Sequence, residues 1–226
     1  SSNPSYSISV LALAEKKKAR FLLASTSEVY GDPLETTQSE NCLGNVNVLG
    51  PRSCYDEGKR FAESYIINFS KKHIIDFRIA RIFNTYGPYI RKDDGRVIPN
   101  FIEQLKKGKA ITIQGDGSQT RSFCYIDDMV EGLKSLMEYE GFDENVINQN
   151  EPVERVFNLG NPHEIEILEL AKTLAKIMGK ELNAAVLPLP EDDPRQRCPE
   201  VSKALKVLGF KAKTELEDGL KKTLKL

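Results

Sequence analysis

The sequence predicts an α/β fold, a doubly wound parallel sheet joined to a smaller α/β lobe. Three observations carry this. RFLLAS (20–25) and IIDFRIARIF (74–83) are short, nearly continuous apolar runs of the kind shown by parallel strands covered on both faces. Between them lies SCYDEGKRFAESYIINFS (53–70), long enough and regular enough in its apolar spacing to be the crossover helix of a right-handed strand–helix–strand unit. Beyond Pro88 strands and helices still alternate, but in shorter pieces with more polar connections, the texture of a second lobe.

Residues 7–18 place Ile8, Leu11 and Leu13 ahead of Glu-Lys-Lys-Lys, which predicts a helix ending just before the first strand. TSEVYGDP after that strand is a loop punctuated by Gly and Pro, and NTYGP plays the same part after the second. RVIPNFIEQLKKGK then predicts a helix, AITIQ a strand, GDGS a hairpin turn, TRSFCYI a strand, and DDMVEGLKSLMEYE a helix with Asp127 as its N-cap. Residues 141–154 are polar and predict loop. RVFNLGN follows as strand and turn, EIEILELAKTLAKIMG as an amphipathic helix, AAVLPLP as an extended segment and EDDPRQRCPE as a charged loop. Short helices at 200–208 and 215–225 finish the chain.

Composition narrows the function classes. Lys plus Arg (32) nearly balances Asp plus Glu (33), and no basic block alternates with aromatics, so nucleic acid is not an expected partner. Cys42, Cys54, Cys124 and Cys198 are scattered, and His73 and His163 stand alone, so neither a zinc site nor a disulfide framework is expected. Unpaired cysteines make a reducing, cytoplasmic setting the expected one, unless residues upstream anchor the parent protein in the Golgi. No apolar run is long enough to span a bilayer, so no membrane contact is expected from this segment.

Ligands of an open parallel sheet bind beyond the carboxyl ends of its strands. Thr26, Ser27 and Glu28 follow the first strand there, Asn84 follows the second, and the helix between them begins with Tyr55 and Lys59 one turn apart. With Tyr55 at zero and about 100° per residue, Lys59 falls near 40°, and Ala62, Ile66 and Phe69 fall between about 320° and 20°. Asp56, Glu57, Arg60, Glu63, Ser64 and Lys71 are expected on the solvent side. An ammonium in line with an apolar stripe is costly unless something there needs it. A tyrosine and a lysine at this spacing occur by chance in many helices, so the phase and the neighbouring TSE triplet are what give the pair weight.

The runs STSEVYGDP, GNVNVLGPRSCYDEGKRFAE, RIARIFNTYGP, DDGRVIPNF, GDGSQTRSF, FNLGNP and DDPRQRCPEVSKA together resemble the extended short-chain dehydrogenase/reductases that act on nucleotide sugars. Within that family they look like the UDP-glucuronate decarboxylases, also called UDP-xylose synthases. Ser27 stands where 4,6-dehydratases often carry Asp, and Glu28 where 4-epimerases usually lack an acid; both relatives stay as alternatives. The resemblance implies a Rossmann-like sheet of which this chain holds the C-terminal part. Residues 1–90 with roughly 119–140 would form a truncated NAD-binding domain, and 91–118 with 141–226 the nucleotide-sugar-binding lobe.

It also implies NAD as cofactor, a UDP-sugar as substrate and a homodimer as the assembly. Bound NAD would oxidise carbon four of UDP-glucuronate, carbon dioxide would leave the resulting β-keto acid, and re-reduction would give UDP-xylose. Tyr55 would be the base, Lys59 its electrostatic partner and a contact of the nicotinamide ribose, and Thr26 a hydrogen-bond partner of the reacting oxygen. Ser27 and Glu28 would assist loss of the carboxylate and protonation of the enolate. Asn84, Arg96, Arg121 and Arg197 would hold the substrate, since guanidinium forks suit phosphate and carboxylate oxygens. Cys198 departs from the basic residue usual beside Arg197. The family's GxGxxG fingerprint does not occur in the sequence, and the only GxG, Gly115-Asp116-Gly117, falls between two predicted strands. The pyrophosphate site is therefore expected upstream, and the alternative function is a catalytically silent piece that binds UDP-sugar or docks on a full-length subunit.

Overall fold

A computed structural model describes residues 4–91, 95–142, 152–189 and 196–225. The chain runs α1 (Pro4–Lys17), β1 (Phe21–Thr26), α2 (Ser53–Ser70), β2 (Phe77–Ile82), β3 (Thr85–Tyr86), α3 (Val97–Lys106) and β4 (Ile111–Gln114). It continues with β5 (Thr120–Ser122), β6 (Cys124–Tyr125), α4 (Ile126–Glu138), β7 (Val156–Leu159), β8 (Glu164–Glu166) and α5 (Ile167–Ile177). β9 (Ala184–Leu187), β10 (Gln196–Arg197), α6 (Ser202–Leu208) and α7 (Leu216–Leu224) complete it. Most of the predicted 141–154 loop, and the start of the loop before Gln196, lie outside the described residues.

β1, β2 and β7 form a parallel sheet in that order, Phe21 opposite Phe77 and Ile79 opposite Val156. Both faces are covered. Phe77 and Ile79 of β2 meet Leu11 of α1 and Ala62 and Ile66 of α2, while Ala80, Phe157 and Leu159 meet Met129 and Leu136 of α4 and Ala204 of α6. The period of two in β2 thus sends alternate residues to opposite helical layers, as a doubly wound sheet requires. A separate apolar cluster binds the remaining elements, with Ile98, Phe101 and Leu105 of α3 against Ile111 and Ile113 of β4 and Leu170 and Leu174 of α5.

Several expectations shift. TRSFCYI is two strands: β5 joins β8 and β10, whereas β6 pairs with β3, so Phe123 marks a change of sheet. GDGS is a turn, with Gly115 and Gly117 at φ +62° and +79°, but β4 pairs with β9 and the hairpin is not formed. α4 starts at Ile126 with Tyr125 in the cap position and no side-chain cap; Asp128 instead accepts from the amides of Lys213 and Thr214. The first three residues of EIEILEL are strand β8. In α1 Leu11 is buried as expected and Leu13 is exposed.

Candidate active site

β1 ends where its backbone turns sharply. Thr26 Oγ1 accepts from the Glu28 amide at 3.3 Å and caps a single 3₁₀ turn over Ser27–Tyr30, which aims Ser27 and Glu28 across the carboxyl ends of β1 and β2. Gly31 closes the turn at φ +61°, and a Cβ there would fall 2.1 Å from the Asn45 carbonyl oxygen. Only glycine fits.

A cavity of about 860 Å³ opens at these strand ends, and Thr26, Ser27, Glu28, Tyr55, Lys59, Asn84, Arg96, Arg121 and Arg197 all line it. The residues singled out from sequence thus come together.

The face that α2 buries carries Asp56, Ala62, Glu63, Ile66 and Ser70. With Tyr55 at zero these span about 340° to 100°, so Lys59 lies near the centre of the buried arc and Tyr55 toward its edge, 40% exposed. The expected solvent positions of Asp56 and Glu63 are therefore wrong: both are buried, Glu63 because Arg81 of β2 meets it there. Lys59 Nζ donates to the Ala24 carbonyl at 2.8 Å and stands 5.9 Å from the Tyr55 ring centre. Burial pulls the Lys59 ammonium below its ordinary value, and the Glu63 carboxylate opposes that shift.

Glu63 anchors a polar network that apolar periodicity does not reveal. It accepts from Ser25 Oγ and pairs with Arg81, Nη2 to Oε2 at 2.8 Å and Nε to both oxygens at 3.2 Å. Arg81 also donates to the Tyr30 hydroxyl at 3.0 Å, and Tyr30 donates to Asn158 Oδ1 at 2.7 Å. Asn158 reaches on to the Gln38 carbonyl, and Gln38 Oε1 accepts from the Cys198 amide. Residues from β1, α2, β2, β7 and the segment after β10 are locked together behind the cavity.

Glu28 is pinned between two arginines. Arg52 Nη2 meets Oε2 at 2.8 Å, and Arg197 Nη1 meets Oε1. Arg197 is thus engaged with the carboxylate rather than standing as a free fork for the nucleotide. Arg52 escapes sequence reasoning because it precedes the helix; its only sequence signal is a cation three residues before Tyr55. Arg121, on β5, donates to its neighbour's carbonyl and faces the cavity, and Arg96 sits at the N-terminal end of α3. Cys198 is buried, donates to the Pro162 carbonyl, and has its thiol pushed up to about 11 by burial, which disfavours the thiolate. Among the described residues no cluster of His, Cys, Asp and Glu could hold a metal ion.

A sequence model of the NAD dependent epimerase/dehydratase family matches residues 1–160. The chain belongs to this family. Among curated members, UDP-glucuronic acid decarboxylase 6 of Arabidopsis thaliana is 50% identical over 213 residues, 94% of this chain and 59% of that protein. UDP-glucuronic acid decarboxylase 1 of Danio rerio is 45% identical over 217 residues, 96% of this chain and 49% of that protein. The chain therefore spans about half to three-fifths of the length of these family members. Among solved structures, a UDP-glucuronic acid 4-epimerase from Bacillus cereus, in complex with UDP-glucuronic acid and NAD, superposes at TM-score 0.82 with 30% identity, over 97% of this chain and 65% of that one. The UDP-glucose 4-epimerase of Thermotoga maritima with UDP-glucose gives 0.84 and 26%, over 97% and 67%.

Proposed function

We propose that this chain is the substrate-facing part of an NAD-dependent UDP-glucuronate decarboxylase, with residues 1–90 and roughly 119–140 belonging to the cofactor domain and the rest to the nucleotide-sugar lobe. The observation that carries the reading is the meeting of the Tyr55/Lys59 pair with Thr26, Ser27 and Glu28 in one cavity at parallel strand ends. The relatives named as decarboxylases, half identical to this chain, support it.

The residues present fit a nicotinamide: a phenol, a hydroxyl and a half-buried ammonium converge at the carboxyl ends of β1 and β2, where such sheets take their ligands. Bound NAD supplies the oxidation at carbon four and its reversal. Tyr55 removes the proton of the hydroxyl at carbon four, Thr26 holds that oxygen, and Lys59, its Nζ 5.9 Å from the Tyr55 ring centre, supplies a positive charge beside them. The ketone so formed can take up the electrons left when carbon dioxide departs. Glu28 and Ser27 flank that end of the sugar, and Glu28 disfavours a second carboxylate beside it, which promotes its loss as neutral gas. Arg96, Arg121 and Asn84 hold the UDP-sugar, with Arg197 serving both Glu28 and the substrate.

A 4-epimerase is the second reading, favoured by the likeness to a UDP-glucuronic acid 4-epimerase. Glu28 in the TSE triplet weighs against it. We also propose a homodimer through the outer faces of α1 and α2, where Val10, Leu13 and Phe61 are exposed; sedimentation of Phe61→Glu should show dissociation, and an unchanged mass would remove this face. For the activity, Tyr55→Phe in the intact protein that carries this chain should abolish carbon dioxide release from UDP-glucuronate. Retained turnover would take Tyr55 out of the base role.

A further inference from the structure

Arg52 holds the cap position of α2 with a helical backbone, φ −97° and ψ −10°, and its carbonyl accepts from the amides of Tyr55 at 2.9 Å and Asp56 at 3.2 Å. It therefore continues the helical phase: with Tyr55 at zero, Arg52 falls near about 60° and Lys59 near about 40°. Arg52, Tyr55 and Lys59 form a row along α2, and all three line the cavity. The Arg52 side chain is 52% exposed, and its Nη2 meets Glu28 Oε2 at 2.8 Å. A guanidinium carries several N–H donors in a planar fork, so this contact leaves an edge for a further acceptor.

A uronic acid makes a particular demand on this wall. Its carboxylate hangs from the ring carbon next to carbon four, so with the carbon-four hydroxyl at Tyr55 and Thr26 it must fall close to Glu28. Carboxylates brought side by side repel unless a cation stands between them. Lys59 is half-buried and donates to the Ala24 carbonyl, and Arg197 is buried with Nη1 on Glu28. Arg96 and Arg121 come from other elements, α3 and β5. Arg52 is the exposed cation of this wall, and it already touches Glu28.

The charge balance agrees. Arg52, Lys59 and Arg197 stand here with Glu28 and with Asp56, buried behind them, whose carboxyl feels Glu28, Arg52 and Arg197. With both carboxylates counted as anions a positive charge is left over, which a substrate carboxylate neutralises.

We propose that Arg52 determines specificity for a uronic acid: the edge of its guanidinium that is not on Glu28 takes the carboxylate of the nucleotide-linked sugar. Glu28 and the substrate then share one cation. The inference rests on the decarboxylase reading and deepens it. A neutral hexose leaves that edge unpaired, and UDP-xylose, having lost the carboxylate, gives up the contact, which favours its release.

The test measures dissociation constants by calorimetry on the intact protein that carries this chain, with Tyr55→Phe as background so that the sugar is not converted. Arg52→Gln should weaken UDP-glucuronate by about tenfold or more, the worth of a hydrogen bond between charged groups, and change UDP-xylose by less than about twofold. Arg52→Lys should recover part of the loss. Glu28→Gln returns the whole guanidinium to the substrate and should tighten UDP-glucuronate; adding Arg52→Gln should cancel that gain. Equal weakening of both ligands in Arg52→Gln, or no change for UDP-glucuronate, overturns the proposal. So does a Glu28→Gln gain that survives the loss of Arg52. If the intact wild-type protein releases no carbon dioxide, the decarboxylase reading fails, while the binding comparison still decides the role of Arg52.

Discussion

Glu63→Ala is the substitution whose cost follows most directly from the structure. The Glu63 and Arg81 side chains are 7% and 13% exposed, and their pairing uses Nε and Nη2 of the guanidinium. Burial works against the Arg81 charge, and the Glu63 hydrogen bonds and charge more than offset it. Removing Glu63 leaves Arg81 with only neutral acceptors, the Tyr30 hydroxyl and the Glu40 carbonyl, each at 3.0 Å, and leaves Ser25 without its acceptor. Breaking a buried pair from one side costs about 3–5 kcal/mol. In a chain of this size about 1 kcal/mol moves Tm by about 2–4 °C, so the expected drop is roughly 6–20 °C. Urea unfolding followed by far-UV dichroism measures the free energy. The double variant Glu63→Leu/Arg81→Met removes both charges and should recover most of the loss. A single-variant loss under about 1 kcal/mol, the worth of an exposed pair, would show that the network does not hold the strand ends together.

Lys203 donates to the Val153 and Val156 carbonyls, and burial lowers its amine to about 8 from the ordinary 10.5. Between those values the unfolded chain binds more protons, so this group makes the unfolding free energy rise with pH; wild type should gain on Lys203→Met from pH 8 to 10.5, and a constant difference across that range would contradict the assignment. Arg52 is half exposed, so Arg52→Ala should change stability by less than about 1 kcal/mol in the same urea assay, and a larger loss would mean that the Glu28 clamp is structural. The 226-residue chain should bind NAD only weakly, because its sequence lacks the glycine fingerprint that cradles the pyrophosphate; a micromolar dissociation constant by calorimetry would refute this.

The sheet is legible in the sequence because β2 is buried on both faces and β1 on one, which turns FRIARI and RFLLAS into recognisable runs. The cavity follows from that, since strand ends and the first turn of α2 must face the same crevice. Helical phase locates Lys59 correctly on the buried side and misjudges Asp56 and Glu63, because phase treats every charge as solvent-seeking. What meets Glu63 is invisible locally, since the Arg81 that pairs with it is 18 residues away, just as the Arg197 that pairs with Glu28 is 169 away. The break at Phe123 is hidden for a like reason. TRSFCYI is uniformly strand-like, and only the separate partners β3 and β8 divide it.

The central claim is tested most directly by giving the intact protein UDP-glucuronate deuterated at carbon four, with unlabelled NAD, and identifying the product by mass spectrometry and NMR. The account predicts UDP-xylose that retains the deuterium at carbon four, with one carbon dioxide released for each sugar converted. The carbon-four epimer of UDP-glucuronate, formed without carbon dioxide, would contradict it.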